Sequence, residues 1–156
     1  MTNNSLQKHI VFVCTGNMCR SPMAEGIFNY LTKNRPEFTC ESAGMAALDG
    51  MPPSRNAQII AAKYDVDISK IRSKLITEEI MQKADYVFVM TRQHYMVLRG
   101  DYSKYADKVF ILKDFANTAE HTFDPDLRDP IGQDLNAYEE CFFDLDKAIR
   151  GILEKI

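Results

Sequence analysis

A cysteine and an arginine separated by five residues are the most informative chemical groups in the sequence. Cys14 and Arg20 enclose the segment TGNMC, which follows a run of β-branched and aromatic residues. A loop that curls from a strand end into a helix start turns its backbone N–H groups inward, and the helix adds the positive end of its dipole. The segment therefore predicts an anion-binding loop, to which the Arg20 guanidinium adds two donors for a phosphate-like dianion.

The same loop favours a reactive thiol at position 14. A free thiol has a pKa of about 8.5, and a helix N-terminus with a nearby guanidinium stabilises the thiolate, which is the nucleophilic form. We expect Ser21 to donate its hydroxyl to this sulfur. A nucleophile beside a phosphate site favours phosphoryl transfer through a cysteinyl-phosphate. The competing interpretation is a buried thiol at a strand end with Arg20 on the surface.

These residues must be positioned by a fold in which strands and helices alternate. Ser21 is the predicted N-cap of the first helix, with Pro22 at its first position. Residues 117–133 are predicted to form a long loop. The patterns predict strands over 9–14, 38–42, 84–90 and 108–112, helices over about 22–33, 54–64, 92–98 and 134–156, and a short helix after Thr77.

Alternating strands and helices predict an α/β fold. We expect a doubly wound, four-stranded parallel sheet with helices on both faces and the phosphate-binding loop after the first strand. The 156 residues carry 19 Lys and Arg against 22 Asp and Glu, a net charge of −3. A single domain over residues 1–156 is the prediction, with no nucleic-acid partner because no uniform basic field exists. The longest apolar runs are about five residues, against the roughly 20 that a membrane helix needs, so we expect no membrane partner and a cytoplasmic location.

The segment Val13–Glu25, VCTGNMCRSPMAE, resembles the active-site segment of the low-molecular-weight protein-tyrosine-phosphatases. The resemblance extends over nearly the whole chain and implies the same four-stranded parallel sheet. It implies that Cys14 attacks phosphorus, Arg20 binds the phosphoryl oxygens, Asn17 holds the shape of the loop and Ser21 assists the thiolate. The remaining loop residues bind phosphate or support the loop: Thr15, Gly16, Met18 and Cys19.

The resemblance also implies an Asp-Pro general acid late in the chain. Two pairs compete, Asp124-Pro125 and Asp129-Pro130. In the family the acid lies about nine residues before an aromatic residue of the last helix, and the interval from Asp129 to Tyr138 has this length. Asp129 is therefore the predicted acid. The mechanism needs a protonated Asp129 with an ionised Cys14, which predicts a bell-shaped pH–rate profile.

Three positions bear on the substrate. Tyrosine-specific members often carry aromatic residues after the Asp-Pro pair, whereas Ile131 and Gly132 stand there in this chain. Several traits resemble the bacterial branch that includes protein-arginine phosphatases. Arginine-specific members, however, carry Thr where Met18 stands, and a Met packs well against an aromatic ring. The prediction is a protein-tyrosine phosphatase acting on a phosphorylated protein, with protein-arginine phosphatase as the alternative.

The other cysteines admit further interpretations. In relatives a disulfide with the nucleophile protects it from overoxidation, which makes Cys19 a candidate redox partner of Cys14. Cys40 and Cys141 are predicted to be core thiols, which disfavours an arsenate reductase with resolving cysteines. A metal site could be formed by Cys14 and Cys19 with His9 and Cys40. It would lack a second close pair of ligands, so we expect no metal and no cofactor. A phosphate-binding module without catalysis is the last alternative, and the expected oligomeric state is a monomer or weak homodimer.

Overall fold

The computed structural model describes residues 7–116 and 124–156 of the chain. Its strands are β1 (Lys8–Cys14), β2 (Phe38–Gly44), β3 (Tyr86–Val89) and β4 (Val109–Ile111). Its α-helices are α1 (Arg20–Leu31), α2 (Arg55–Lys63), α3 (Glu78–Lys83), α4 (Arg92–Asp101), α5 (Leu112–Ala116) and α6 (Leu135–Leu153). A 3₁₀-helical segment, Ser103–Lys108, lies between α4 and β4.

The four strands form one parallel sheet in the order β2-β1-β3-β4. The central strand β1 is buried on both faces, as its continuous apolar sequence requires. The register sets Cys14, the last residue of β1, beside Gly44 of β2. The nucleophile predicted from the sequence therefore lies at the carboxyl edge of the sheet, where ligands of open α/β folds bind.

Alternate residues of β1 enter two separate cores. Ile10 and Phe12 pack into a core that includes side chains of α1, α2 and α6. Val11 and Val13 pack into a second core that includes side chains of α3 and α4. Helices thus cover both faces of the sheet, and the predicted fold class is confirmed. Every described helix is too short or too polar to cross a lipid bilayer.

The predicted start of the first helix is wrong by two residues. The helix begins at Arg20, and Cys19 occupies the N-cap position without a side-chain capping hydrogen bond. The Ser21 hydroxyl instead contacts Cys14 and Asn17. The Ser21 hydroxyl, which was predicted to cap the helix, therefore forms its contacts within the phosphate-binding loop.

Some boundaries also differ from the sequence prediction. The last helix ends at Leu153, before the predicted end at residue 156, and β3 and β4 are shorter than predicted. The 3₁₀ segment and the short α5 lack a sequence period long enough to predict them. Of the predicted loop 117–133, residues 124–133 contain no helix or strand, and residues 117–123 lie outside the described residues.

Candidate active site

Asn17 determines the shape of the loop between β1 and α1. Its backbone has a φ of 56°, in the left-handed region that Asn tolerates better than most residues. Its side chain is almost completely buried. The amide Nδ2 donates to Ser21 Oγ at 2.8 Å and to Ser42 Oγ at 3.0 Å, while Oδ1 accepts from the backbone N–H of Lys74 at 3.0 Å. These three bonds use both ends of the amide and fix its orientation.

This orientation also determines the direction of the Ser21 hydroxyl. Ser21 Oγ lies 2.9 Å from Cys14 Sγ and already accepts a hydrogen bond from Asn17. Its own proton is therefore free to point at the sulfur, where it stabilises a thiolate. On the far side of Asn17, Ser42 donates to the Glu25 carboxylate at 2.6 Å. Asn17 thus lies between two serines whose protons point away from it.

Backbone hydrogen bonds hold the outside of the loop. The carbonyl oxygens of Cys14 and Thr15 accept from the N–H groups of Met45 and Ala46, each at 2.9 Å. The carbonyl oxygen of Met18 accepts from the backbone N–H of Ser54, the N-cap residue of α2, again at 2.9 Å. Because these carbonyls point outward, the loop can present N–H groups to its interior. The first N–H groups of α1 lie at the same place, so the arrangement suits a dianion.

Arg20 is a buried cation that connects this loop to residues 124–134. Only 5% of its surface is exposed. Its Nη1 donates to the carbonyl oxygen of Leu127 at 3.0 Å, and Nη2 lies 3.4 Å from Asp129 Oδ2. The Leu127 N–H donates in turn to the Met90 carbonyl oxygen at the end of β3. The guanidinium is therefore held in place before any ligand binds.

The two Asp-Pro pairs have different surroundings. Asp129 lies beside Arg20, its Oδ1 accepts from the Ile131 N–H at 3.1 Å, and its side chain is 41% exposed. Asp124 faces Arg92 at 3.7 Å, and its Oδ1 accepts from the Asp126 N–H in a local turn. Of the two, only Asp129 is placed to reach a group bound by the loop.

The loop and Asp129 enclose a small cleft of about 40 Å³. Its lining residues are Cys14, Gly16, Met18, Cys19, Arg20, Asp129 and Ile131. Met18 and Ile131 supply apolar surface, and Ile131 is 58% exposed. A wider depression of about 770 Å³ lies along α2 but is lined by no residue of the loop. The candidate catalytic residues therefore line the smaller cleft.

Cys19 lies beside the cleft in a polar pocket. Its Sγ is 3.4 Å from Ser54 Oγ and 3.4 Å from the Tyr138 hydroxyl. Burial raises the pKa of the Cys19 thiol, and its hydrogen bonds with Ser54 and Tyr138 oppose the rise. Burial also raises the pKa of Cys141 to about 12. The raised pKa disfavours the thiolate form of both cysteines, and the thiolate is the nucleophilic form.

Several residues around the cleft carried no sequence signal. His94 is buried, and its Nε2 lies 2.8 Å from Oγ1 of Thr15, a residue far from it in the sequence. Leu127 acts through its backbone, which residue type does not reveal. The contacts of Ser42 and Glu25 with the loop depend on strand register and helix packing rather than on any local motif.

The residues considered for a metal site do not come together. His9 lies at the opposite end of β1 from Cys14, roughly 16 Å away at the usual strand rise. Its ring nitrogens bond Thr39 at 2.7 Å and Glu41 at 2.5 Å. Within residues 7–116 and 124–156, no three His, Cys, Asp or Glu side chains are grouped as metal ligands.

Comparison with known families agrees with this fold and loop. Residues 9–156 match the family described as low molecular weight phosphotyrosine protein phosphatase. The chain belongs to this family of phosphatases.

Both tyrosine and arginine phosphatases are among its relatives. A protein-arginine-phosphatase of Bacillus subtilis (strain 168) is 33% identical, over 94% of this chain and 95% of its own. A probable low molecular weight protein-tyrosine-phosphatase of Ralstonia nicotianae is 31% identical, over 93% and 91%. The crystal structure of a low molecular weight protein tyrosine phosphatase from T. tengcongensis superposes with a TM-score of 0.88 at 38% identity, covering 96% of this chain and all of that one.

Proposed function

We propose that the protein hydrolyses phosphotyrosine in phosphorylated proteins, with Cys14, Arg20 and Asp129 as its catalytic residues. The observation that carries this proposal is the composition of the cleft. Met18 and Ile131 provide apolar surface around the sulfur, the guanidinium and the carboxylate. A phenyl ring packs favourably between a thioether and an aliphatic side chain.

In the first step the Cys14 thiolate attacks phosphorus. The loop N–H groups and Arg20 bind the phosphoryl oxygens, where charge develops in the transition state. The bond from phosphorus to the tyrosine oxygen breaks as the sulfur–phosphorus bond forms. Asp129 gives its proton to the departing phenolate oxygen, and free tyrosine and a cysteinyl-phosphate result.

In the second step water hydrolyses the cysteinyl-phosphate. Asp129, now a carboxylate, takes a proton from the attacking water. The oxygen–phosphorus bond forms, the sulfur–phosphorus bond breaks, and the Cys14 thiolate leaves with inorganic phosphate as the product. Ser21 stabilises the thiolate in both steps, because its proton points at the sulfur. These steps need no metal or cofactor.

A protein-arginine phosphatase is the second candidate. The similarity to the Bacillus subtilis enzyme supports it, and Ile131 gives no aromatic stacking partner on its wall of the cleft. The same nucleophile, guanidinium and acid would act on a phosphorus–nitrogen bond, with Asp129 protonating the departing guanidine. Met18 argues against this candidate because it places an apolar side chain where a polar leaving group would lie.

The remaining assignments follow from the sequence. A small acidic domain with reduced cysteines suits the cytoplasm, a phosphorylated protein as partner, and no nucleic acid. One domain over the whole chain, acting as a monomer or weak homodimer, completes the proposal. Cys19 is the candidate redox partner of Cys14.

A panel of phosphotyrosine, phosphoserine and phosphoarginine peptides tests the substrate. The wild type should turn over phosphotyrosine fastest, and Cys14→Ser should abolish turnover of every substrate. Met18→Thr should move the preference towards phosphoarginine, whereas Met96→Thr, at an exposed position on α4, should not. A wild-type preference for phosphoarginine would establish the second candidate, and binding of phosphate with no turnover would exclude both.

A further inference from the structure

His94 is a buried polar side chain that takes no part in the bond-making steps above. It is 7% exposed, and its Nε2 lies 2.8 Å from the Oγ1 atom of Thr15, the residue after the nucleophile. Its other ring nitrogen, Nδ1, is buried and has no hydrogen-bond partner among the residues that the structure describes. Among the described residues the ring thus makes one side-chain hydrogen bond, and that bond is to the phosphate-binding loop.

The unpartnered nitrogen identifies the tautomer. A neutral imidazole carries its proton on either Nδ1 or Nε2. A proton on Nδ1 would leave a buried N–H donor without an acceptor, which is rare in folded proteins. A proton on Nε2 leaves only a lone pair without a partner and gives the Thr15 hydroxyl a donor. The Nε2–H tautomer is therefore favoured.

The surroundings of His94 keep its ring neutral. His94 lies in the first turn of α4, where its backbone N–H donates to the N-cap hydroxyl of Thr91 at 3.1 Å. The positive end of a helix dipole disfavours a cation there. Burial, and after it the charge of Arg20, lower the pKa of His94 to about 4 against the opposing charges of Asp129 and Asp126. An imidazolium at this place would also repel the guanidinium that binds phosphate.

We propose that His94 is a positioning residue: its neutral ring donates from Nε2 to Thr15 and fixes the start of the phosphate-binding loop. Thr15 is held on two sides, because its carbonyl oxygen accepts from Ala46 and its hydroxyl accepts from His94. The peptide after Cys14 is thereby tied to the turn that follows β2 through one bond and to α4 through the other. This inference rests on the proposed function, since it concerns the same loop.

Kinetics of matched variants on p-nitrophenyl phosphate test the role. His94→Phe keeps a ring but removes the donor, so kcat/KM should fall about tenfold, the cost of one lost hydrogen bond. His94→Gln keeps an N–H near the Nε2 position and should restore activity to within about threefold of the wild type. Thr15→Val removes the acceptor and should match His94→Phe, and the double variant should lose no more than either single variant. Additive losses, or a Gln variant as impaired as the Phe variant, would overturn the proposal.

Long-range ¹H–¹⁵N NMR of the wild type gives a test that needs neither activity nor a variant. The ring should be neutral with its proton on Nε2 between about pH 6 and about pH 8. A proton on Nδ1, or an imidazolium in this range, overturns the proposal whether or not the protein is active. Absence of any turnover that depends on Cys14 would instead overturn the proposed function, so the two failures are distinguishable.

Discussion

Asp129 Oδ2 lies 3.4 Å from Arg20 Nη2, so the proposed acid and the proposed phosphate-binding cation contact each other. An incoming phosphate dianion competes with the Asp129 carboxylate for the same guanidinium. We therefore expect a bound substrate to displace the carboxylate from the cation. The contact would couple occupation of the phosphate site to the position of the Asp129 carboxylate.

The first prediction separates the two Asp-Pro pairs. Asp129→Ala removes the proton donor for the leaving group and should lower kcat by about 10² to 10⁴. Steady-state kinetics on p-nitrophenyl phosphate measure this. Asp124→Ala is the matched control, since Asp124 faces Arg92 and not Arg20. Equal losses in the two variants would exclude Asp129 as the acid.

The shape of the pH–rate profile is a second test of Asp129 as the acid. Since the mechanism requires a protonated Asp129 and an ionised Cys14, the wild type should show both an acidic and a basic limb. Asp129→Asn should lose the limb on which activity falls as pH rises and the acid ionises. A profile of unchanged shape in this variant would show that another group donates the proton.

Ser21 provides the next prediction, because its hydroxyl is 2.9 Å from Cys14 Sγ. Ser21→Ala removes one donor to the thiolate and should slow alkylation by iodoacetate at neutral pH about tenfold, with a similar loss in kcat. The rate of inactivation measures the effect. Ser103→Ala, at an exposed position of the 3₁₀ segment, should react like the wild type. Unchanged alkylation in Ser21→Ala would contradict the direction assigned to its proton.

Gly44 lies where β2 and the phosphate-binding loop approach closely. An added Cβ would lie 2.7 Å from the Thr15 carbonyl oxygen and 2.7 Å from Ala47 Cβ. Gly44→Ala should therefore cost about 1 to 3 kcal/mol of unfolding free energy and displace the loop. Gly100→Ala is the control, because nothing lies within 4 Å of its added Cβ and Ala favours the helix. Chemical denaturation measures both, and equal stabilities would contradict the close approach.

The Glu41 carboxyl, which lies away from the cleft, should make the stability of the fold depend on pH. Burial alone would raise the pKa of this carboxyl, but hydrogen bonds from Lys74 and His9 outweigh burial and lower it below its ordinary value of 4.5. The unfolded chain then binds this proton more tightly than the folded chain. The stabilisation is complete above about pH 4.5 and is lost as pH falls through the lower folded pKa.

Denaturation over this acidic range tests that sign. Unfolding free energy should fall less steeply with decreasing pH in Glu41→Gln than in the wild type. Glu37→Gln breaks only an exposed pair with Arg35 and should keep the wild-type slope. A steeper fall in Glu41→Gln would reverse the sign.

The fold and the loop were predictable because their determinants are local. The apolar run of β1, the spacing of Cys14 and Arg20, and Pro22 at a helix start all lie within one short segment. The prediction that Ser21 caps the first helix was wrong. A serine hydroxyl can either cap a helix or contact a sulfur, and the sequence alone does not decide between these roles.

The supporting residues were not predictable because their contacts are distant in sequence. His94 meets Thr15 across 79 positions, and Leu127 meets Arg20 across 107. Leu127 acts through backbone atoms that every residue type possesses. Such contacts depend on the register of strands and on the path of a loop, which only the folded chain determines.

Leu127 anchors its segment of the chain, whereas exposed residues of the same segment are free to vary. Its N–H donates to the Met90 carbonyl oxygen, its carbonyl oxygen accepts from Arg20, and its side chain is buried in the core, so this residue anchors the segment beside the phosphate-binding loop. Residues such as Ile131 then extend from an anchored base. Substitution of Ile131 would change the apolar wall of the cleft while the two backbone hydrogen bonds of Leu127 stay in place.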